Sequence, residues 1–362
     1  MKRLTILIFS AIFIVSLAAC GGSAADMTSA SNIGTDNEDG SSAGDESEAV
    51  ANTYKKTETG VKPSGNVLLC EDYESIINSE MNTSILGSDI PAYQIMHVTF
   101  LDSLDDMPEM SADAFDATEN PDGCVNLWDV SENQDGSVMA WTYLTTDFQD
   151  FFEWYCNENP QEEVTFEEKY TKWYGMYLDL YIAGDGGVDA NPNSCALFYS
   201  YSPSTIDFND CFYTGDVTDM SFMFTGCGLL TELDLSGFDT SNVTTMRSMF
   251  YGDYTLKSLD VSSFNTSNVT GTGMMTMFSG CSSLEQLDVS GFDTSQITYM
   301  YYMFYDCSSL QSLDVSGFDT SQVIDMDHMF ANCSSLEELD ISGFDMSNAM
   351  NSGTMLEGTK WE

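Results

Sequence analysis

The C-terminal part of the chain repeats itself with a period of 26 residues. The doublet Met-Phe marks the period at Met223-Phe224, Met249-Phe250, Met277-Phe278, Met303-Phe304 and Met329-Phe330. One interval is longer by two residues, which we assign to an insertion around Gly271-Thr272-Gly273. Self-similarity at this spacing is typical of repeat proteins, in which each unit buries its apolar face only against its neighbours. The sequence therefore predicts a stacked array.

Each repeat divides into two pieces. Leu313 and Val315 alternate with Asp314 and Ser316, which is the period of a half-buried strand. Apolar residues at spacings typical of one face of a short helix follow at Val323, Met326, Met329 and Phe330. These patterns predict an α/β solenoid: a leucine-rich-repeat-like array of about 26-residue strand-plus-short-helix units, preceded by a β-rich N-terminal capping region.

The N-terminus has the layout of an export signal. A positive start at Lys2 and Arg3 precedes an apolar run, which ends at Leu17-Ala18-Ala19-Cys20. The apolar run is shorter than the ~20 residues that a transmembrane helix needs. The last four residues resemble the bacterial lipobox, whose cysteine is acylated. We predict a lipoprotein signal peptide over 1–19 and lipidation of Cys20.

Composition and local patterns divide the rest of the chain. Residues 20–64 are poor in apolar side chains and predict a lipid-anchored, disordered acidic linker. Residues 65–194 predict a β-rich capping domain, with a hairpin at Asp135-Gly136 and an aromatic insertion near 148–177. The repeat array is assigned to 195–358. The tryptophans of the capping domain favour core packing, with a sugar-stacking platform as the alternative; they are Trp128, Trp141, Trp154 and Trp173.

The repeats closely resemble those of the BspA-type leucine-rich-repeat surface proteins of bacteria. The resemblance rests on Phe292-Asp293-Thr294-Ser295, Met303-Phe304, Cys307-Ser308-Ser309-Leu310 and Leu313-Asp314-Val315-Ser316, and extends upstream to Trp128-Asp129-Val130-Ser131. It covers about residues 66–358, except the aromatic insertion. The family is often lipid-anchored and is linked to adhesion, so the resemblance implies an adhesive surface protein.

Charge excludes several classes of partner. The chain has 10 Lys and Arg against 58 Asp and Glu, a formal charge of −48. Nucleic-acid binding requires clustered cations that neutralise phosphates, and adsorption to anionic lipid headgroups requires them too. Neither is expected here, whereas cations and basic partners would be attracted.

One column of aspartates is the sharpest polar feature of the repeats. Its members are Asp234, Asp260, Asp288, Asp314 and Asp340. Carboxylates at the ~4.8 Å spacing of neighbouring strands repel one another unless hydrogen bonds or a cation offset the repulsion. The column thus predicts either a row of hydrogen-bonded turns or an open anionic ribbon that binds Ca²⁺ or a basic partner. No other cofactor is expected.

Two to three residues before the aspartate, the side chains vary from repeat to repeat. These positions are held by Glu232, Lys257, Glu285, Gln311 and Glu337. Variable side chains on a constant frame are typical of a binding face. We therefore predict that these residues contact a partner.

Nine cysteines follow Cys20, and Cys227, Cys281, Cys307 and Cys333 share one column, in which Asp253 takes the missing place. The absence of a Cys-x-x-Cys pair argues against a zinc site. The column favours a ladder of small buried side chains; disulfides between Cys281 and Cys307 or between Cys307 and Cys333 are the alternative.

The function expected from the sequence is binding and adhesion at the cell surface, without catalysis. Only His97 and His328 could act as bases near neutral pH, and neither belongs to a catalytic motif. The expected partners are proteins or glycans of a host or a neighbouring cell. The alternatives are an extracellular solute- or glycan-binding lipoprotein and, third, a secreted hydrolase that uses the 148–177 insertion.

Overall fold

The computed structural model describes Leu68 and residues 95–108, 124–133, 135–144, 178–201 and 203–361. The predicted signal peptide, the lipidation site Cys20, the linker and the 148–177 insertion lie outside these residues.

Most strands of the described residues are short, and the longer ones all belong to one sheet. They are β1 (Ile95–Leu101), β2 (Cys124–Asp129), β3 (Met139–Leu144), β4 (Leu178–Ala183), β5 (Val188–Asp189), β6 (Thr205–Asp207), β7 (Phe212–Tyr213), β8 (Glu232–Leu233) and β9 (Ser258–Leu259). A single 3₁₀ helix, Leu104–Asp106, completes the regular structure of the described residues.

Five of these strands form a mixed sheet in the order β2-β3-β4-β1-β6. Strands β2, β3 and β4 pair antiparallel, whereas β1 pairs parallel with β4 and β6. Alternation explains the strands: in β4, Leu178, Leu180 and Ile182 are buried while Asp179 and Tyr181 are half-buried. β6 comes from the first residues of the predicted array and adds the sheet's edge.

The hairpin predicted at Asp135-Gly136 is confirmed, since β2 and β3 pair antiparallel on either side of it. Its loop is organised by Asp129, which accepts hydrogen bonds from the Ser131 N–H (2.8 Å) and the Gly136 N–H (2.8 Å). Gly136 has φ +76°, a conformation that glycine adopts without strain. Packing on this sheet also confirms Trp141 as a core residue, 1% exposed and stacked on Tyr181 at 5.9 Å.

The predicted α/β solenoid of strand-plus-helix units is wrong. From residue 220 to residue 361 no residue is helical, and regular strand pairing is limited to the two-residue pair β8–β9. Turns and isolated parallel bridges take the place of both predicted elements.

The helix fails because the backbone turns left-handed just before each Met-Phe doublet. The residue at that position has φ between +54° and +60° in every repeat: Phe222, Ser248, Thr276, Tyr302 and His328. A second left-handed residue follows four positions later at Gly226, Gly252, Gly280, Asp306 and Asn332. A right-handed helix cannot pass through such residues. The apolar spacing that resembled a helix face instead belongs to consecutive turns.

Each repeat forms one rung, and we number rungs 1 to 5 by their doublets from Met223-Phe224 to Met329-Phe330. The segment around the doublet, Met220–Cys227 in rung 1, is the Met–Phe side. Here alternate backbone N–H groups donate to the next rung: Phe222 to Arg247 O (2.8 Å), Phe224 to Met249 O (2.9 Å). The intervening N–H groups close local turns, such as Thr225 to Phe222 O (3.0 Å). All backbone groups of this segment thus find partners without a helix.

The doublet phenylalanines form a continuous stack together with Phe198, which lies one period before Phe224. Successive ring centroids are 5.4–5.7 Å apart and the rings are within 9° of parallel; the stack contains Phe198, Phe224, Phe250, Phe278, Phe304 and Phe330. The two-residue insertion does not disturb it, because the centroid distance from Phe250 to Phe278 is 5.6 Å.

The same core continues into the sheet. Phe100 of β1 packs edge-on against Phe198 at 6.3 Å and lies 4.6 Å from Phe212. Residues from Leu68 to Met355 belong to one buried cluster. At the other end, Met355 is buried and Phe344, Leu356 and Trp361 pack against the cluster.

Candidate binding surfaces

The Leu–Asp side of a rung, Leu230–Ser236 in rung 1, carries the predicted aspartate column. Leu233 and Leu235 point into the core, while Asp234 and Ser236 are exposed. The same alternation recurs in each rung, so all five predicted aspartates reach solvent; they are Asp234, Asp260, Asp288, Asp314 and Asp340.

Every one of these carboxylates caps a turn in its own rung. The Asp Oδ1 atom accepts a hydrogen bond from the N–H of the serine two residues later, at 2.9–3.0 Å. The Ser262 and Ser290 hydroxyls donate to the same oxygens, at 2.6 and 2.7 Å. This is the hydrogen-bonded alternative of the two that the sequence left open.

The serine contacts set the charge state of the column. Hydrogen bonds from the Ser290 hydroxyl and N–H lower the pKa of Asp288, although the charges of Asp260 and Asp314 act in the opposite direction. The Ser236 N–H likewise lowers the pKa of Asp234. These hydrogen bonds favour the ionised form of the carboxylates and act against their mutual repulsion.

No metal cluster accompanies the aspartate column in the part of the chain that the structure describes, where no three His, Cys, Asp or Glu side chains converge as ligands. The Ca²⁺ alternative has no preformed cage among these residues.

The predicted variable residues occupy neighbouring positions on adjacent rungs. From Lys257 onward their backbones are joined by one hydrogen bond per junction, such as Glu337 N–H to Gln311 O (2.9 Å), whereas the Lys257 N–H donates to Thr231 O. Their side chains are exposed in every rung: Glu232, Lys257, Glu285, Gln311 and Glu337. At the last two rungs they line an open groove with Glu338 and Lys360, where the Lys360 ammonium contacts the Glu337 carbonyl.

The cysteine column is buried and reduced. Cys227, Cys281, Cys307 and Cys333 are 0% exposed and free. Each thiol donates to a phenylalanine carbonyl of the preceding rung, such as Cys307 to Phe278 O at 3.2 Å. The predicted ladder of small buried side chains is confirmed, and neither disulfide of the alternative is formed.

Asp253 interrupts this ladder with a buried carboxyl group. It is 1% exposed and its Oδ1 atom has no hydrogen-bond partner. Burial raises the pKa of Asp253 well above the usual 3.8, although backbone N–H groups of Cys227 and Gly226 act in the opposite direction. Asp253 in turn raises the pKa of the Cys227 thiol, after the larger effect of burial.

The two histidines are held by carboxylates. His97 lies in β1 with Nδ1 2.6 Å from Asp179 Oδ1. His328 has Nδ1 2.9 Å from Asp327 Oδ2 and Nε2 3.4 Å from Glu357 Oε2. The two histidines belong to different elements and form no common site.

An aromatic cluster that the sequence analysis did not single out surrounds His328. The Tyr302 ring stacks on the imidazole, with centroids 4.6 Å apart and planes 20° from parallel. Tyr301 and Tyr305 lie 4.1 and 4.7 Å from Tyr302, and all four side chains are half-buried. We call these four residues the tyrosine–histidine cluster. The run Thr298-Tyr299-Met300-Tyr301-Tyr302, unusually rich in tyrosine among the repeats, could have indicated it.

Among the residues that the structure describes, no helix has both the length and the apolar character that crossing a bilayer requires. The predicted lipid anchor at Cys20 lies outside those residues and stays a prediction.

Comparison with known proteins places the repeats in a family context. No curated protein matches the chain, and no solved structure matches it. The repeats match one family model in two overlapping segments, residues 196–286 and 257–361. The family is described as "Mycoplasma protein of unknown function, DUF285". Residues 196–361 are therefore similar to the repeat sequences of the DUF285 family.

Proposed function

We propose that the chain is a lipid-anchored cell-surface protein of a bacterium that binds macromolecular partners through the exposed side chains of its rungs, without catalysis. The proposal joins the export signal and Cys20, which point to the cell exterior, with the architecture of the repeats. It also extends the DUF285 similarity to the BspA-type surface proteins, whose repeat signatures the chain resembles.

One observation carries the proposal: the rungs keep their backbone and vary the side chains on it, four of the following five being half-buried and Ser248 buried. The position before the doublet has φ of +54° to +60° in all five rungs, yet it holds Phe222, Ser248, Thr276, Tyr302 and His328. The Phe side chains two positions later are invariant and stacked. A backbone held constant beneath changing side chains is a general device for recognition.

The Leu–Asp side supports the proposal from another direction. Its exposed positions differ in charge between neighbouring rungs, as Glu232, Lys257 and Glu285 show, and the leucines that follow them in these three rungs are buried. Scattered charged groups around an ionised aspartate column favour a polar protein or glycan partner over an apolar ligand.

A binding screen of the full chain in mild detergent tests the proposal. Arrays of extracellular-matrix proteins and of glycans should yield at least one saturable interaction, and panels of glycoside and peptide substrates should show no turnover. Saturable capture of a small solute alone would favour the solute-binding alternative. Turnover of any substrate would contradict the proposal.

The anchor has its own test. Cys20→Ser should release the chain from the membrane fraction of the producing cell, whereas Cys70→Ser should leave it there. Equal membrane retention of both variants would contradict lipidation at Cys20.

A further inference from the structure

We propose that the tyrosine–histidine cluster, together with the carboxylates of Asp327 and Glu357, docks an arginine- or lysine-bearing segment of a partner protein. The inference rests on the proposed binding function and assigns it a site and a partner chemistry.

The aromatic part of the site is a set of half-buried rings in mutual contact. Tyr302 is in contact with Tyr301, Tyr305 and His328, at centroid distances of 4.1–4.7 Å. The residues come from two adjacent rungs, and the backbone joins them, because the Tyr302 N–H donates to Asp327 O at 3.1 Å. Ring faces of tyrosine attract cations through their quadrupole.

The carboxylates lie at the edge of the same cluster. Asp327 and Glu357 approach the two nitrogens of His328, at 2.9 and 3.4 Å. The Asp327 carboxylate also accepts a hydrogen bond from the Thr354 hydroxyl, which fixes its position. The Glu357 side chain is 56% exposed and is available to an incoming group.

The charges of the region select a cationic occupant. After residue 172 the sequence contains three cationic residues, Arg247, Lys257 and Lys360, and none of them belongs to the cluster. Aromatic faces beside carboxylates match a guanidinium, which stacks on rings and donates to carboxylate oxygens at once.

The protein itself shows this pairing three rungs upstream. Arg247 places its guanidinium carbon 5.8 Å from the ring centroid of Phe222. Arg247 occupies the same position in rung 2 as Tyr301 in rung 4, and Phe222 the same position in rung 1 as Tyr302. The Met–Phe side thus already supports a cation over an aromatic ring at two of the positions that build the cluster.

Rung 3 provides a substitution that respects the backbone. Tyr301→Met, Tyr302→Thr and Tyr305→Ser together give rung 4 the side chains of Met275, Thr276 and Ser279. Thr276 and Tyr302 share the left-handed conformation, with φ of +56° and +57°, so the triple variant should fold.

The probes are a peptide of sequence Gly-Arg-Gly-Arg-Gly with blocked ends, its citrulline counterpart and cellohexaose. Each is titrated into the full chain at physiological ionic strength, where screening over ~8 Å leaves mainly the nearby carboxylates active. The arginine peptide should bind, and the triple variant should weaken it about tenfold or more. The citrulline peptide, equal in shape but uncharged, should not bind measurably.

Two double variants separate local from general electrostatics. Asp327→Asn with Glu357→Gln should weaken the arginine peptide severalfold. Asp210→Asn with Asp216→Asn removes the same charge at two exposed positions that precede rung 1, and it should leave the affinity within twofold. Circular dichroism and the urea midpoint of each variant verify folding.

Failure to bind the arginine peptide, or equal binding by the triple variant or by the citrulline peptide, would overturn the inference. Cellohexaose binding that the triple variant abolishes would assign the cluster to glycans and overturn it as well. The array screen can also yield a partner that binds the triple variant as well as the unchanged chain. That result would support the proposed function but place the binding site outside the cluster.

Discussion

The two sides of each rung differ in how they are bonded to the neighbouring rungs. On the Met–Phe side, alternate backbone N–H groups bond to the next rung and the phenylalanines stack without a gap. On the Leu–Asp side, β8–β9 and single bridges connect the rungs, and polar side chains alternate with buried leucines. The difference teaches that cohesion between rungs is concentrated on the Met–Phe side.

The largest expected effect is at the centre of the phenylalanine stack. Phe278 is 0% exposed, with ring neighbours at 5.6 Å on both sides. Phe278→Ala should lower the free energy of unfolding by about 3–5 kcal/mol, because it leaves a cavity in a packed core. Urea denaturation followed by circular dichroism measures it. Tyr254→Ala, at a side chain 36% exposed, is the control and should cost about 1 kcal/mol or less; equal losses would contradict the comparison.

The next-largest expected effect is a gain in stability when Asp253 is replaced. Asp253→Cys restores the residue of the column and removes a buried oxygen without a partner, so it should stabilise the protein by about 1–3 kcal/mol at neutral pH. Burial raises the folded-state pKa of Asp253 above the 3.8 of the unfolded chain. The folded state therefore holds its proton longer, and stability is lost as pH rises from 3.8 through the folded pKa.

Urea titrations of the unchanged protein and of Asp253→Cys, at pH values from acidic to neutral and in reducing buffer, test the Asp253 prediction. The gain from Asp253→Cys should increase with pH. Asp253→Asn, which cannot ionise, should also remove the pH dependence while keeping a buried polar group. A gain that is the same at acidic and neutral pH would contradict a raised pKa.

A smaller loss of stability is expected when a left-handed glycine on the Met–Phe side is replaced. Gly280 has φ +82°, and a Cβ there would lie 3.4 Å from the Gly252 backbone. Gly280→Ala should cost about 1–2 kcal/mol. Gly343, on the other side of a rung, has open space around its Cβ position, so Gly343→Ala should change stability by less than about 0.5 kcal/mol. Equal midpoints in thermal unfolding of the two variants would contradict the left-handed turn.

The smallest effect is expected at the exposed aspartates. Asp288→Asn keeps an oxygen that accepts the Ser290 N–H, whereas Asp288→Ala does not, so Ala should destabilise more, though by less than about 1 kcal/mol at an exposed site. Because the serine hydrogen bonds lower the pKa of Asp288, its contribution is present above pH 3.8 and is lost as pH falls through the folded pKa. Chemical denaturation above and below that pH measures it; a larger loss for Asn than for Ala would contradict the turn.

Much of the architecture was predictable from periodicity, and its local geometry was not. The 26-residue period identified the buried columns, because burial depends on which side chains recur; Leu313, Met329 and Phe330 are all buried. It could not identify the backbone conformation. Serine, threonine and tyrosine have no strong preference for φ > 0, so Ser248 or Tyr302 did not signal the left-handed turn that excludes a helix.

The candidate surfaces, too, were predictable from the sequence only in part. The exposure of Asp288 follows from alternation, and Glu285 was predicted as a surface residue from its variation between repeats. The tyrosine–histidine cluster depends on how rung 4 lies against rung 5. Tyr302 and His328 are 26 residues apart in sequence, and their contact follows only from the register of the turns.

Amide hydrogen exchange tests the central claim, that turns on the Met–Phe side hold the rungs together. The amides of Phe224, Phe250, Phe278 and Phe304, which donate to the next rung, should be protected nearly as strongly as global unfolding allows. Those of Glu285 and Gln311 on the Leu–Asp side, in longer hydrogen bonds of 3.4 and 3.2 Å, should exchange well before them. Equal protection on both sides would contradict the account.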